Sequence, residues 1–576
     1  MTRILSLILS LIMTITSGGF TTFADRIVQV ITGVPVSSSA VSDDFLADVS
    51  SDDVVKIDEG SGILKHYIIV YISPEASFFE KVKFFSSNGL ALAGWYCPAD
   101  MYVAFCAETK PEKLQSFCTK LMEENGIVSF ASPVSSSEVC DQYIPDDPFS
   151  TEQDWSDYYI SGDNWWLEAT DAWLAWDYSA YFSKVRLGVV DSGVYPYHED
   201  LENKVYFPSM AEASRNSFGS HSTHVAGIIG ANHNNAIGIA GICDNCEMVF
   251  VDWQPNGSQF WISDLHILFG LMKTVKTGAK AINFSLGSAG NIKKSKGSDF
   301  IAKLDAMVYS AAISSLLSKG YDFVVIQSAG NGNKSGAAVD AFYNGTFCPI
   351  TVDNAYSVSD SVSAQDIVDR IIVVGAAYGN RSSGFKQADF SDIGSQVSVA
   401  APGVSIYSTD LTEEKYSYKS GTSMSAPMVT GIAGLVWSVN PDFTGAEVKD
   451  IICSSTCDVA AAADIKTYPE LNYGELPMVN ALLSVEEALD RTYQMGRVEG
   501  RFVSVNGDET VTLIQDGAET DFAVRHGGRF SFLAKEGQAT IRFKDGDKVV
   551  ENDIVISRGS PVVFSGVSFA AESLPQ

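Results

Sequence analysis

Three short segments hold the side chains with the clearest capacity for covalent chemistry. In Gly421-Thr422-Ser423-Met424-Ser425-Ala426-Pro427 a serine opens an apolar stretch that runs from Ser423 to Asn440. A hydroxyl at a helix N-terminus lies beside backbone N–H groups without helical partners and beside the positive end of the helix dipole. Together these stabilise a developing oxyanion. A plain Ser/Thr helix cap fits the same residues. In Gly219-Ser220-His221-Ser222-Thr223-His224-Val225-Ala226-Gly227, two of the chain's seven histidines fall within four residues. They read either as metal ligands at i, i+3 or as one general base beside a packed, hydrogen-bonded neighbour. No Glu stands between them, so the HExxH spacing of zinc peptidases is absent. In Val189-Val190-Asp191-Ser192-Gly193 a carboxylate ends an apolar strand, where ligand and catalytic groups gather in open parallel sheets. Alone, that signal is weak.

The elements around these segments indicate an α/β domain over residues 141–494. Val185 to Val190, Met248 to Asp252, Lys280 to Leu286, Phe323 to Ser328 and Ile371 to Gly375 are near-continuous apolar runs. Strands buried on both faces of a parallel sheet flanked by helices read this way. The stretch after Ser423 is apolar almost all round, which predicts a helix through the middle of the domain.

The flanks differ in character. Met1 to Ala24 has the layout of a secretory signal peptide, with Arg3, an apolar run from Ile4 to Ile15 and a small residue at Ala24. Residues 25–59 carry an acidic run, with seven acids and one Lys between Asp43 and Glu59, and read as a solvated spacer. Over 60–140, strands at His66 to Ile72 and Met101 to Ala107 alternate with helical spacing at Pro74 to Phe85 and Pro111 to Asn125. This predicts a small α+β unit that needs a packing partner. Over 495–576, short strands separated by Asn506-Gly507-Asp508, Asp516-Gly517, Gly527-Gly528 and Asp545-Gly546 predict an antiparallel β-sandwich.

Composition narrows the function classes. The chain has 576 residues, 46% of them hydrophobic, so it can bury a large core. A net charge of −31 repels phosphate and excludes a general nucleic-acid binder. Beyond the N-terminus no apolar run approaches the ~18 residues of a membrane span. Nine Cys are too few for a disulfide scaffold. Cys97, Cys106, Cys118 and Cys140 could pair, while Cys243/Cys246 and Cys453/Cys457 are close pairs that read as local disulfides or inert thiols. Five N-x-S/T sequences occur, at Asn256, Asn283, Asn333, Asn344 and Asn380.

The order Asp191, His221, Ser423, with these flanks, resembles the subtilisin family of serine proteases. Ala281-Ile282-Asn283-Phe284-Ser285-Leu286-Gly287, Ser328-Ala329-Gly330-Asn331-Gly332-Asn333 and Val399-Ala400-Ala401-Pro402-Gly403 extend the resemblance over about 300 residues. It implies a secreted serine endopeptidase. Ser423 would be the nucleophile, His221 the base, Asp191 its orienting carboxylate and Asn331 an oxyanion donor. Ser285, Leu286, Gly287, Ser328, Ala329 and Gly330 would line a cleft that binds an extended peptide. Residues 60–140 resemble the family's inhibitory pro-segment, an intramolecular partner removed by self-cleavage between about Pro133 and Trp155. Asn234-Asn235-Ala236-Ile237-Gly238-Ile239 resembles the family's calcium loop. That implies a structural calcium at Asp147, Asp200, His233, Asn235, Ile237 and Ile239.

Two departures from the family pattern stand out. Ser222 replaces the usual Gly after the base, which would crowd the cleft or tilt His221, with activity expected to survive. The stretch from Cys348 to Arg370 is longer than usual and hides the primary specificity pocket. The expected partners are protein or peptide substrates, without nucleic acid, acting on a monomer. A catalytically silent peptide-binding protein and a peptide ligase or macrocyclase using the same triad are the alternatives.

Overall fold

A computed structural model describes residues 41–42, 54–58, 61–96, 100–108, 110–137, 165–235, 237–253, 262–287, 296–332, 337–381, 383–413, 415–462, 474–503, 509–525, 528–546 and 548–569. The signal-like segment, Asp147, Cys97, Cys140 and most of the expected cleavage region lie outside the described residues.

The central sheet has ten strands. Ile371–Asn380, Val324–Ser328, Ala281–Phe284, Val185–Asp191, Cys246–Asp252 and Val205–Tyr206 lie side by side in parallel, with Val399–Pro402 also parallel to Ile371–Asn380. The five predicted apolar runs are the five central strands. Successive residues serve opposite faces, as a period of two requires. Leu187, Val189, Ala281, Val324, Ile326, Ile372 and Val374 meet the helices Ser220–Gly230 and Thr422–Val439 on one face. Val190, Ile282, Val325, Ile371 and Val373 meet Asp264–Lys276 and Lys296–Ser318 on the other. Every residue of Thr422–Val439 is buried, so its apolarity all round reflects a helix enclosed on all sides.

The N-terminal unit forms a seven-stranded sheet from Val41–Ser42, Val54–Asp58, Ser61–Ile72, Ala91–Tyr96, Met101–Phe105 and Val128–Ser137, completed by Ile262–Ser263 of the central domain. One face, with Ile68, Val70 and Ile72, packs on the unit's own helices through Phe84, Leu114 and Leu121. The other, with Ile69, Tyr71, Met101, Val103, Phe130 and Val134, shares a core with Leu268, Phe269, Met272 and Tyr309 of the central domain. Two expectations are corrected here. Val54–Asp58 pairs antiparallel with Ser61–Leu64, so the end of the acidic run is sheet and not spacer. The helix window Ser298–Ser318 is long and apolar enough to span a membrane by length and composition. It is 72% buried, because it lies between the two sheets and offers apolar groups to both.

The C-terminal unit is a sandwich of a three-stranded and a four-stranded sheet. It is not wholly antiparallel: the first strand, Met495–Phe502, pairs in parallel with the last, Val562–Val567. The unit is fused to the central domain. Tyr178, fully buried, donates to Glu486 (3.0 Å) and accepts from the Leu533 amide (2.8 Å), and Arg497 pairs with Glu486 (2.7 Å). Asp177 accepts from the Ala523 amide (2.9 Å), and burial pushes its carboxyl up to about 6 despite that bond and the nearby Arg525.

Candidate active site

Asp191 is the last residue of its strand and is buried. Its Oδ1 accepts from His221 Nδ1 at 2.8 Å and from the Ser192 amide at 2.7 Å. His221 is the second residue of Ser220–Gly230, and the loop before it is bound tightly to the Asp191 turn. The Asn216 amide clasps both backbone groups of Val194 (2.9 and 2.8 Å), and Asp252 accepts from the Ser217 amide (2.8 Å) and hydroxyl (2.7 Å). A Cβ on Gly193 would sit 1.3 Å from the Ser217 carbonyl oxygen, so only glycine permits this approach.

The two histidines separate cleanly. His221 retains partial solvent access and faces Asp191. His224 is fully buried, and its Nε2 lies 3.0 Å from the Ile406 carbonyl and 3.1 Å from that of Ser417. Burial, with Lys419 nearby, pulls its imidazole down to about 3. It ties the helix to the hairpin Ile406–Thr409/Tyr416–Lys419, so the base-and-neighbour reading replaces the metal pair. Ser222 is buried and donates to the Gly193 carbonyl. Its hydroxymethyl braces the Asp191 turn from beneath, so the expected crowding of the cleft does not arise.

Ser423 is the second residue of its helix, where backbone N–H groups have no helical acceptor. Pro427 inside the same helix lacks the N–H that would reach the Ser423 carbonyl, and the Ser285 hydroxyl supplies that bond at 2.9 Å. The Ser423 hydroxyl donates to the Ser285 carbonyl at 3.3 Å. Asn331 Oδ1 accepts from both the Thr422 amide (2.8 Å) and hydroxyl (2.9 Å). This orients the carboxamide so that a Cβ on Gly421 would lie 3.2 Å from Nδ2, placing the amino group beside the turn that leads into Ser423.

Ser285 to Gly287 follow one strand and Ser328 to Gly330 run out of the adjacent parallel one, and the Ser328 hydroxyl donates to the Leu286 carbonyl (3.3 Å). Several of their backbone groups are already used within the fold. Gln327 Nε2 donates to the Leu286 carbonyl (2.6 Å), Gly287 bridges Gly345, and the Ala329 amide donates to Val374 (2.9 Å). The long stretch after Cys348 reaches the N-terminal unit: Tyr356 donates to the Ser129 carbonyl (2.7 Å) and its ring lies 4.9 Å from Phe130.

Around the calcium-like loop, Asp200 is buried. It accepts from Asn235 Nδ2 (2.8 Å), the Ile239 amide (2.9 Å) and the Tyr416 hydroxyl (3.3 Å). Burial raises its carboxyl above the usual range, and these neutral donors offset only part of that. The Asn235 oxygen accepts from Ile237 N (2.9 Å), and the His233 ring meets the Gly241 carbonyl (2.6 Å). Among the described residues no cluster of three or more His, Cys, Asp or Glu could hold a metal. Cys106, Cys118, Cys243, Cys246, Cys348, Cys453 and Cys457 are free thiols. Asn283 and Asn344 are buried and cannot accept a glycan in the folded chain.

Sequence reasoning missed several supports of this site. Lys419 Nζ joins Asp410 (2.8 Å) to the Ser220 hydroxyl (2.8 Å), linking the hairpin before Ser423 to the start of the His221 helix. Burial opposes ionisation of Asp410, but Lys419, Ser220 and Ser417 hold its carboxyl at about 2. Asp252, Thr422 and Asp392 are further supports. Of these only Thr422 lies inside a motif that stands out without the fold.

A parallel-sheet α/β domain with a carboxylate–imidazole pair and a serine at the N-terminus of a buried helix is the arrangement of the subtilisin-like class. The sequence profile of the Subtilase family matches residues 183–496, more than half of the chain, and the chain belongs to that family. It is 30% identical over 322 residues to a thermophilic serine proteinase of Bacillus sp. (strain AK1), covering 55% of this chain and 65% of that protein. It is 33% identical over 301 residues to thermitase of Thermoactinomyces vulgaris, covering 51% of this chain and 86% of that protein. Fervidolysin from Fervidobacterium pennivorans, a keratinolytic enzyme related to subtilisin, shares the fold at a TM-score of 0.53 and 18% identity. The match covers 90% of this chain and 81% of fervidolysin.

Proposed function

We propose that the protein is a secreted serine endopeptidase made as a self-processing precursor. The observation that carries this reading is the Asp191–His221 contact at 2.8 Å, in a domain whose Ser423 opens a buried helix with the Asn331 carboxamide bound to the first turn. In the proposed reaction the Ser423 hydroxyl exchanges its bond to the Ser285 carbonyl for one to the His221 imidazole. His221 Nε2 accepts the proton as Oγ attacks a peptide carbonyl, then returns it to the leaving amine. Asp191 holds the tautomer and stabilises the imidazolium. The Ser423 amide and Asn331 Nδ2 donate to the oxyanion, where charge develops only in the transition state.

Autoinhibition is supported by the strand Val128–Ser137. Its end pairs antiparallel with Ile262–Ser263 of the central domain, which seats the C-terminal end of the N-terminal unit on the catalytic domain. Asp200, Asn235 and the carbonyl oxygens of His233, Ile237 and Ile239, with Asp147, would hold calcium. A buried carboxylate with only neutral hydrogen-bond partners fits a hard cation. When bound, the ion would stabilise the loop and take no part in the chemistry.

The test is incubation of the processed protein with a peptide library and product analysis by mass spectrometry. Hydrolysed peptides support the reading, joined peptides favour a ligase, and unchanged peptides favour a silent binding protein.

A further inference from the structure

Behind Asn331 lies a buried carboxylate that the triad does not use. Asp392 has no solvent exposure. Its Oδ1 accepts from the Gly332 amide (3.0 Å) and the Val339 amide (2.7 Å), and its Oδ2 from the Asn344 carboxamide. Its own amide donates to the Gly330 carbonyl (3.0 Å). The residues on both sides of Asn331 are therefore bound to this one residue. Gly330 has φ +116°, and a Cβ there would lie 2.1 Å from Asp392 Oδ2 and 2.7 Å from Asn344 Nδ2. The turn is thus pressed directly onto the carboxylate and its brace. On its other side Asn331 is held by Thr422, whose hydroxyl also accepts from the Gly330 amide (3.1 Å).

Keeping such a group so deep is costly. Burial pushes its carboxyl up to about 8, against the hydrogen bonds from Val339, Asn344 and Gly332 that favour the charge. An apolar side chain in its place would leave the buried Gly332 and Val339 amides without this acceptor.

We propose that Asp392, braced by Asn344, is a positioning residue for the reaction: it fixes the Gly330–Gly332 turn so that Asn331 Nδ2 meets the oxyanion. The inference rests on the peptidase reading above. An oxyanion donor acts through distance and direction, so a turn displaced by about an ångström loses most of its effect while the cleft still binds substrate. The expected signature is a fall in kcat with little change in KM.

The experiment uses the full chain, processed by itself, in a double-mutant cycle. Wild type, Asp392→Asn, Asn344→Ala, Asn331→Ala and the Asp392→Asn/Asn331→Ala double variant are assayed on a chromogenic peptide, with thermal midpoints measured alongside. Asp392→Asn and Asn344→Ala should each lower kcat by about 10- to 100-fold with KM within about threefold. In the Asn331→Ala background, Asp392→Asn should cost less than about threefold, because the donor it positions is gone. Equal losses in both backgrounds, or no loss in either variant, overturn the proposal. Failure of both Asp392→Asn and Asn344→Ala to fold also overturns it, since the carboxylate would then be a folding element. Wild type without turnover sinks the peptidase reading and this inference together. Wild-type turnover matched by Asp392→Asn sinks the inference alone.

Discussion

The central domain holds its two neighbours by different means. The N-terminal unit lays an apolar sheet face on the helices Asp264–Lys276 and Lys296–Ser318, with polar ties such as Tyr356–Ser129 and Lys319–Asp100 near the margins. The C-terminal sandwich is joined through a continuous core and a buried polar knot of Tyr178, Glu486, Arg497 and the Leu533 amide. Apolar contact is non-directional and can be released intact, whereas a buried polar network binds one geometry and is costly to open. The contrast fits a detachable N-terminal inhibitor and a permanent C-terminal part of the enzyme.

The largest effect should come from the chemistry that releases the first neighbour. Ser423→Ala should lower turnover by roughly 10⁴- to 10⁶-fold, the scale set by the subtilisin triad, and leave the precursor uncut on gel electrophoresis. A Ser423→Ala chain that matured when expressed alone would remove self-processing and with it the detachable half of the contrast.

The second neighbour should respond in stability, not cleavage. Tyr178→Phe leaves the Leu533 amide unpaired and deprives Glu486 of a donor, so unfolding should shift by about 1–3 kcal/mol in urea titrations. The same substitution should leave precursor processing unchanged. A two-step urea transition in the wild type, with the sandwich unfolding first, would contradict the fused core.

Calcium removal should have a smaller and more local effect. Chelation should accelerate thermal inactivation of the processed protein by freeing the Asp200 loop. Equal inactivation rates with and without chelator would dismiss the calcium reading.

The pH dependence should also separate the sandwich contact from the helix that carries His221 and His224. His224 has a depressed folded value of about 3, so its stabilising contribution is present above the unfolded value near 6.5 and is lost as pH falls towards 3. Asp177, at the sandwich contact, has a raised value of about 6. Its contribution is present below the unfolded value near 3.8 and is lost as pH rises through 6. Asp177→Asn should flatten the upper part of the stability curve, and His224→Gln the acid part, each read from urea midpoints across pH 3–8.

Much of the proposed site is legible in the sequence. Asp191, His221, Asn331 and Ser423 lie inside short local patterns of chemistry-bearing residue types, and the apolar runs beside them differ sharply from their surroundings. What was hidden depends on tertiary contact. Asp392 is one acid among 70 Asp and Glu, and only the fold presses it against Gly330. Lys419 and Asp410 read as surface charges until the hairpin turns them towards Ser220. The strand Ala518–Phe522 carries little sequence signal because it is polar and largely exposed at a sheet edge. The parallel pairing of Val562–Val567 is hidden because its partner, Met495–Phe502, lies at the far end of the module's sequence.

The central claim is that Ser423 is activated by the Asp191–His221 pair. The most direct measurement is the site and rate of labelling by a fluorophosphonate, read by peptide mass spectrometry on processed wild type and on Asp191→Asn. The account predicts a single adduct on Ser423 that forms much more slowly in Asp191→Asn. Labelling at another residue, or an equal rate in the two proteins, would contradict it.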